Sequence, residues 1–110
     1  MIAQPIEILV YEDENGKEPF VEWLNSCNRN IRAKIFTRLD RVEQGNLGDN
    51  KFIENDVFEL RIHFSPGYRI YFGKKENEIV ILLTGGKKST QKKDIAKAKK
   101  FWNEFNGRTK

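Results

Sequence analysis

Long apolar runs are missing from this 110-residue chain, which has no stretch of about 18 apolar residues such as a membrane-spanning helix needs. A charged-then-apolar leader is also missing from the N-terminus, so we expect neither a membrane span nor a signal peptide, and we place the protein in the cytoplasm. The single cysteine, Cys27, cannot form an internal disulfide. It lies at an apolar position of a helical pattern, which favours a buried thiol.

Ligand sets for metals are also missing. One histidine, one cysteine and no close cluster of carboxylates leave no zinc or calcium site. The segment 85–90 has the composition of a phosphate-binding loop but not its glycine–lysine spacing, which argues against nucleotide binding. We therefore expect no metal and no cofactor, and what remains is the chemistry of charged side chains.

Positive charge is present in modest excess, with 20 Lys and Arg against 16 Asp and Glu, and it is unevenly distributed. Residues 7–22 are mostly acidic, whereas the C-terminal third has a series of lysines opposed only by Asp94. These lysines are Lys87, Lys88, Lys92, Lys93, Lys97, Lys99 and Lys100. Such a surface is typical of a polyanion binder, although lysine runs are often only the solvated side of a helix.

The strongest pattern is the alternation of residues 57–72, interrupted by Ser65-Pro66-Gly67, which predicts a β-hairpin. A three-residue loop with Gly67 in the left-handed conformation would pair Phe64 with Tyr68, and Ile62 with Ile70. One face of this hairpin is apolar and is expected in the core. It consists of Phe58, Leu60, Ile62, Phe64, Tyr68, Ile70 and Phe72.

The other face of the predicted hairpin carries Glu59, Arg61, His63, Arg69 and Tyr71. In the predicted register His63 lies across from Arg69, and Arg61 lies across from Tyr71. Two cations, a carboxylate, an imidazole and a phenol would then converge on one surface.

The remaining segments predict the rest of the fold. We expect a strand at residues 6–11, a helix of about ten residues from Pro19, a second helix from residue 31 to about 44, a strand at 79–84 that is apolar on both faces, and a C-terminal helix after Ser89 or Thr90. Residues 51–56 give no assignment. The order predicts one α+β domain spanning residues 1–110. It would be an antiparallel sheet of about four strands, with two N-terminal helices and a C-terminal helix covering one face.

In that sheet order Arg61, Arg69, Lys87 and Lys88 can surround a phosphate, because the hairpin and the next strand are neighbours. Guanidinium and ammonium groups stabilise the charge of a phosphoryl transition state, and Tyr71 or Phe64 can stack a base.

These segments resemble a known family. Glu59-Leu60-Arg61-Ile62, the run from Pro66 to Phe72, the run from Leu82 to Gln91, and Asp94-Ile95-Ala96-Lys97-Ala98 are similar to the addiction-module killer proteins. Those are phage-derived, HigB-like members of the RelE/ParE superfamily of type II toxins. The resemblance implies a compact toxin fold and metal-independent cleavage of mRNA in the ribosome, by attack of a ribose 2′-hydroxyl on the adjacent phosphate.

Site residues follow from the resemblance position by position. Arg69 matches the arginine that contacts the scissile phosphate, Arg61 the recurrent Leu-Arg pair, and Lys87 and Lys88 the basic stretch that supplies a phosphate contact or a general acid. The general base stays open between Glu59 and His63, since Ile95 stands about where the family has a tyrosine. Tyr71, Lys92 and Lys93 are expected on the side that faces substrate.

The resemblance also implies partners and leaves alternatives. A ribosome-dependent ribonuclease, a non-enzymatic inhibitor of DNA gyrase as in the ParE branch, and a non-toxic basic binding module all fit the sequence. A toxin implies an antitoxin encoded by an adjacent gene. Its acidic segment would be attracted to the cationic surface formed by Arg61, Arg69, Lys87, Lys88 and the helix at 92–100, and the first helix near Phe20 and Trp23 is expected to supply apolar anchors for docking. The oligomeric state is left undetermined.

Overall fold

The computed structural model describes residues 4–76 and 78–108. In chain order the elements are β1 (Glu7–Val10), α1 (Pro19–Ser26), α2 (Arg29–Glu43), β2 (Asn50–Glu54), β3 (Val57–Ile62), β4 (Tyr68–Lys75), β5 (Ile79–Lys87), a 3₁₀ turn (Lys88–Thr90) and α3 (Gln91–Arg108). Within the described ranges no helix is both long enough and apolar enough to cross a membrane. The predicted domain 1–110 includes residues 1–3, 77 and 109–110, which lie outside these ranges.

The five strands form one mixed sheet in the order β1-β5-β4-β3-β2. The α+β class and the predicted helices are confirmed, and β5, which is apolar on both faces, lies inside the sheet between β1 and β4. The predicted number and direction of the strands are wrong. The sheet has a fifth strand, because the unassigned segment before the hairpin pairs with β3 as β2, and it is not purely antiparallel, because β1 runs parallel to β5.

Helices cover both faces of the sheet, not one face as predicted. On the first face α1 and α2 pack over a core that includes Phe20, Ile35, Leu60 and Ile70. On the second face α3 packs through Trp102 and neighbouring apolar residues. The reason is that β5 is apolar on both sides, so each side needs a cover, and the chain ends in an amphipathic helix that supplies the second one.

The hairpin register differs from the prediction by two residues. Ile62 pairs with Tyr68, and Arg61 pairs with Arg69, so neither the predicted Phe64–Tyr68 pair nor the His63–Arg69 and Arg61–Tyr71 pairs form. Phe64 belongs to the loop: its N–H donates to the Ile62 carbonyl at 3.0 Å, and its carbonyl accepts from the Gly67 N–H at 2.6 Å. The loop is therefore five residues long, while the positive φ of Gly67 (100°) is as predicted.

Local signals set the helix ends. Pro19 occupies the start of α1, where its missing N–H costs nothing. The Asn28 side chain caps α2 by accepting from the Ile31 N–H at 3.0 Å. After α2, Gly45 adopts a φ of 94°, which a residue with a side chain rarely adopts, and the helix ends there.

Two consecutive glycines near the end of β5 let a helix approach the sheet from each side. A Cβ on Gly85 would lie 2.3 Å from the Trp23 ring of α1, and a Cβ on Gly86 would lie 1.9 Å from the Asp94 carboxylate of α3. The end of β5 is therefore held closely between α1 and the first turn of α3, and this contact fixes where α3 begins.

Candidate active site

Glu59 lies at the centre of a buried polar cluster beneath the start of α3. Its side chain is 0% exposed. Oε1 accepts from Arg61 Nε at 3.1 Å and from Arg69 Nη1 at 2.9 Å, and Oε2 accepts from Gln91 Nε2 at 2.7 Å. A buried carboxylate is tolerated here because both oxygens have donors and two of the donors are cations. Glu59 thereby holds the two guanidinium groups in place.

The sheet and α3 together build this cluster. Arg61 lies directly opposite Arg69, and Glu59 lies two residues before Arg61, so all three side chains point to the same face. Arg69 in turn pairs with Gly86 of β5, over which the first turn of α3 lies. The close approach at Gly86 brings Gln91 within reach of Glu59. The Leu-Arg and Gly-Tyr-Arg motifs meet because of the strand register.

The two arginines open onto a cleft of about 490 Å³ at the β3–β4 loop. The cleft is lined by Arg61, His63, Arg69 and Lys88 together with the loop itself. The Arg61 side chain is 33% exposed and that of Arg69 13%, so both retain donors toward solvent while Glu59 holds them from behind. This arrangement suits an oxyanion such as a phosphate, which the fork of a guanidinium matches geometrically.

His63 lies in the loop and not on a strand, and it contacts a residue that the sequence did not single out. Its Nε2 donates to Oδ2 of Asp49, and Arg61 Nη1 lies 3.9 Å from Oδ1 of the same carboxylate. The hydrogen bond from His63, and then the charges of His63, Arg61 and Arg38, lower the pKa of Asp49 below its usual value. Since Nε2 carries the donated proton, Nδ1 of a neutral imidazole is free to accept one.

Tyr71, a predicted substrate contact, is buried with 0% exposure. Its hydroxyl has no hydrogen-bond partner among the described residues. Burial, followed by the negative charges of Glu59 and Asp94, raises the pKa of Tyr71 well above its usual value. Its ring would have to be uncovered before a base could stack on it, so this role stays a prediction.

The predicted lysines separate into two locations. Lys88 lines the cleft, and its N–H donates to the Gly67 carbonyl at 3.1 Å. Lys87 and Lys93 instead line a groove of about 800 Å³ between α1 and α3, together with Trp23. Lys92 is exposed on α3 outside both spaces. The structure therefore brings Arg61, His63, Arg69 and Lys88 together around one cleft, with Glu59 behind them.

Sequence reasoning did not identify Asp49 or Gln91. Asp49 is 14 residues from His63 and Gln91 is 32 residues from Glu59, so no local spacing indicates either contact. Gln91 ends the run from Leu82 that carries part of the family resemblance, but the resemblance assigns it no role.

Comparisons with known proteins identify relatives. The family described as "Phage derived protein Gp49-like (DUF891)" matches residues 22–103. A Haemophilus influenzae protein described as uncharacterized is 47% identical over 87 residues, which cover 78% of this chain and 88% of that protein. The match to the family includes α2, the hairpin, β5 and the first part of α3, and hence every residue of the cleft.

We predict that Glu59→Gln lowers the free energy of unfolding by about 2–3 kcal/mol, because one buried carboxylate with two cationic partners loses its charge. Urea denaturation measures this loss. The matched control is Glu54→Gln, since Glu54 forms an exposed ion pair with Lys99 at 2.6 Å, and we expect it to cost less than about 1 kcal/mol. Equal losses in the two variants would show that the buried cluster contributes no more to the free energy of unfolding than an exposed ion pair.

Proposed function

Because the chain belongs to the Gp49-like family of phage-derived proteins, a family of toxin–antitoxin toxins related to RelE/ParE, we propose that this protein is the toxin of a type II toxin–antitoxin system. We further propose that it is of the HigB-like kind and acts as a ribosome-dependent endoribonuclease on mRNA. The observation that carries the proposal is the cleft in which Arg61, His63, Arg69 and Lys88 converge.

The arginines bind the scissile phosphate in this mechanism. Arg69 is held by the buried Glu59 and has little freedom, so its remaining donors are oriented before the substrate arrives. Arg61 is held by Glu59 on one side and lies near Asp49 on the other. Positioned cations of this kind stabilise the charge that develops on the phosphoryl oxygens without having to reorganise in the reaction.

His63 is the general base in this proposal, oriented by Asp49. Nδ1 of His63 takes the proton of the ribose 2′-hydroxyl while the 2′-oxygen forms a bond to phosphorus. The bond from phosphorus to the 5′-oxygen breaks, and Lys88 donates a proton to that leaving oxygen. The products are a 2′,3′-cyclic phosphate and a 5′-hydroxyl. Glu59 keeps a positioning role, because as a base it would have to leave three donors.

Inhibition of DNA gyrase, the alternative known for the ParE branch, requires an exposed protein-binding surface. Gyrase binding does not require an imidazole, two guanidinium groups and an ammonium group in one cleft. The cleft therefore favours RNA cleavage over gyrase binding and over a binding module without toxicity.

An antitoxin partner is expected from the family, and the groove between α1 and α3 suits it. This groove lies beside Trp23 of α1 and has an excess of positive charge, which combines an aromatic contact with electrostatic attraction. Its charged lining consists of Lys17, Lys87, Lys93, Lys97 and Lys100 against Asp13, Glu22 and Asp94. Phe20, the other expected anchor, is only 2% exposed and packs in the core, so it is not available for docking. We propose that an acidic antitoxin segment occupies the groove.

Arg69→Ala should reduce mRNA cleavage on ribosomes by about 10²–10³-fold, similar to the loss of an oxyanion donor. The rate of cleavage at a single site in a purified translation system measures this. Circular dichroism confirms folding, and Arg29→Ala, an exposed arginine at the start of α2, serves as the control that should remain fully active. A folded Arg69→Ala protein with unchanged cleavage would reject the role of Arg69.

His63→Gln should reduce the same rate by about 10²–10⁴-fold, the usual contribution of a general base. The fold should tolerate it, since the His63 side chain is 75% exposed. Asp49→Asn should cause a smaller loss and should change the pH dependence of the rate, because it removes the carboxylate that orients the imidazole. If His63→Gln leaves both the rate and its pH profile unchanged, the base is another group, and Glu59 becomes the candidate.

Replacement of Lys93, Lys97 and Lys100 by Gln should lower the association rate with the product of the adjacent reading frame by about tenfold at low salt, through loss of electrostatic steering. Stopped-flow binding at several salt concentrations measures this, and the wild-type rate should fall as salt rises. A salt-independent rate would reject the charge-based docking. Failure of any neighbouring gene product to bind or neutralise the protein would reject the toxin proposal itself.

A further inference from the structure

A second group of cations lies on α2, away from the buried cluster around Glu59. Lys34, Arg38 and Arg41 recur at a helical spacing of three to four residues and so lie on one side of α2. With Arg61 they line a groove of about 380 Å³ between α2 and the β3–β4 loop. We call this space the α2 groove.

The α2 groove has a surplus of positive charge. Asp49 is the one acidic residue among those that line it, and that carboxylate already contacts His63 and Arg61. Within residues 4–76 and 78–108, neither Lys34 nor Arg41 forms a salt bridge. Lys34 instead places its Nζ 5.2 Å from the centre of the Phe64 ring.

Arg38 lines the α2 groove with a positive charge that is held in place, because its guanidinium donors are used in hydrogen bonds to backbone carbonyls. Its Nη2 donates to the carbonyls of Leu47 and Asp49, and its Nε donates to the carbonyl of Arg61, so it ties the loop before β2 to β3. No carboxylate takes part in these hydrogen bonds. Burial is the main reason why the pKa of Arg38 is lowered; the nearby positive charge of Arg41 lowers it further, and Asp49 partly opposes the shift. A bound anion would relieve the repulsion between the two arginines.

The α2 groove is continuous with the cleft. Residues 61–64, which include Arg61 and His63, line both spaces, so a chain that crosses His63 in the cleft passes directly into the α2 groove. Lys34 and Arg41 are seven residues apart, which is about 10 Å along a helix. This separation suits a linear array of negative charges better than one small anion.

We propose that the α2 groove is a second phosphate-binding subsite, in which Lys34 and Arg41 contact the phosphodiester backbone of an RNA strand next to the nucleotide held in the cleft. This inference rests on the proposed function, which identifies the bound polyanion as RNA. It adds that the substrate extends across α2, and that α2 contributes to affinity without touching the reacting atoms.

The test is binding of a short single-stranded oligoribonucleotide that carries 2′-O-methyl groups and so cannot be cleaved by 2′-hydroxyl attack. Fluorescence anisotropy at several salt concentrations gives its affinity. The double variant Lys34→Gln/Arg41→Gln should bind about tenfold more weakly at low salt, and its slope of log affinity against log salt should be shallower by about 1.4, or about 0.7 for each lost phosphate contact on a single strand. Both residues are exposed, so the variant should remain folded.

The matched control is Arg29→Gln/Lys51→Gln, which removes the same charge from exposed residues outside the α2 groove and the cleft and should leave affinity and slope nearly unchanged. If the two double variants lower affinity and slope equally, binding depends only on the net charge of the protein and not on the α2 groove, and the inference is overturned. Displacement of the oligonucleotide by poly-glutamate at equal charge concentration would also overturn it, because it would make the occupant an acidic peptide.

The failure of this inference and that of the proposed function give different results. An unchanged affinity and slope in Lys34→Gln/Arg41→Gln would overturn the subsite, whatever the Arg69→Ala variant does to cleavage. A weakened affinity in a protein that cuts no mRNA on ribosomes would support the subsite and reject the ribonuclease.

Discussion

The buried carboxylate of Glu59 is the constraint on which the rest of the site depends. It holds Arg61 within β3, it joins β3 to β4 through Arg69, and it joins the sheet to α3 through Gln91. A lone carboxylate at this depth would be strongly destabilising, and two lone guanidinium groups would repel each other. Together they form a stable cluster whose outer side is cationic. One interaction thus stabilises the fold and orients the groups that meet a phosphate.

The positions of the helices follow from the need to bury the apolar surface of the sheet on both faces. The apolar strand β5 needs cover on both sides, and its two consecutive glycines allow α1 and α3 to come close at the end of the strand. That end of the sheet lies beside Arg69, so the start of α3 closes over Glu59 while the β3–β4 loop stays open. The reactive groups are therefore placed at an edge where the core is complete on one side and solvent is available on the other.

Residue patterns predicted much of this arrangement because they report local geometry. Alternation in the hairpin correctly placed Glu59, Arg61 and Arg69 on one face, and the start of α1 at Pro19 is as predicted. The register was wrong because it depends on the loop, where Phe64 turns inward to hydrogen-bond within the loop and so leaves the strand pattern. Asp49 could not be found, since its contact with His63 joins two loops whose approach is decided only by the packing of α2 on the sheet.

The most direct test of the central claim follows one defined mRNA on translating ribosomes after addition of the purified protein. The account predicts cleavage of the ribosome-bound message that leaves a 2′,3′-cyclic phosphate, and no cleavage when the nucleotide before the cut carries a 2′-deoxyribose. An intact message together with inhibited DNA supercoiling by gyrase would contradict it. Cleavage that persists at a 2′-deoxy position would also contradict it.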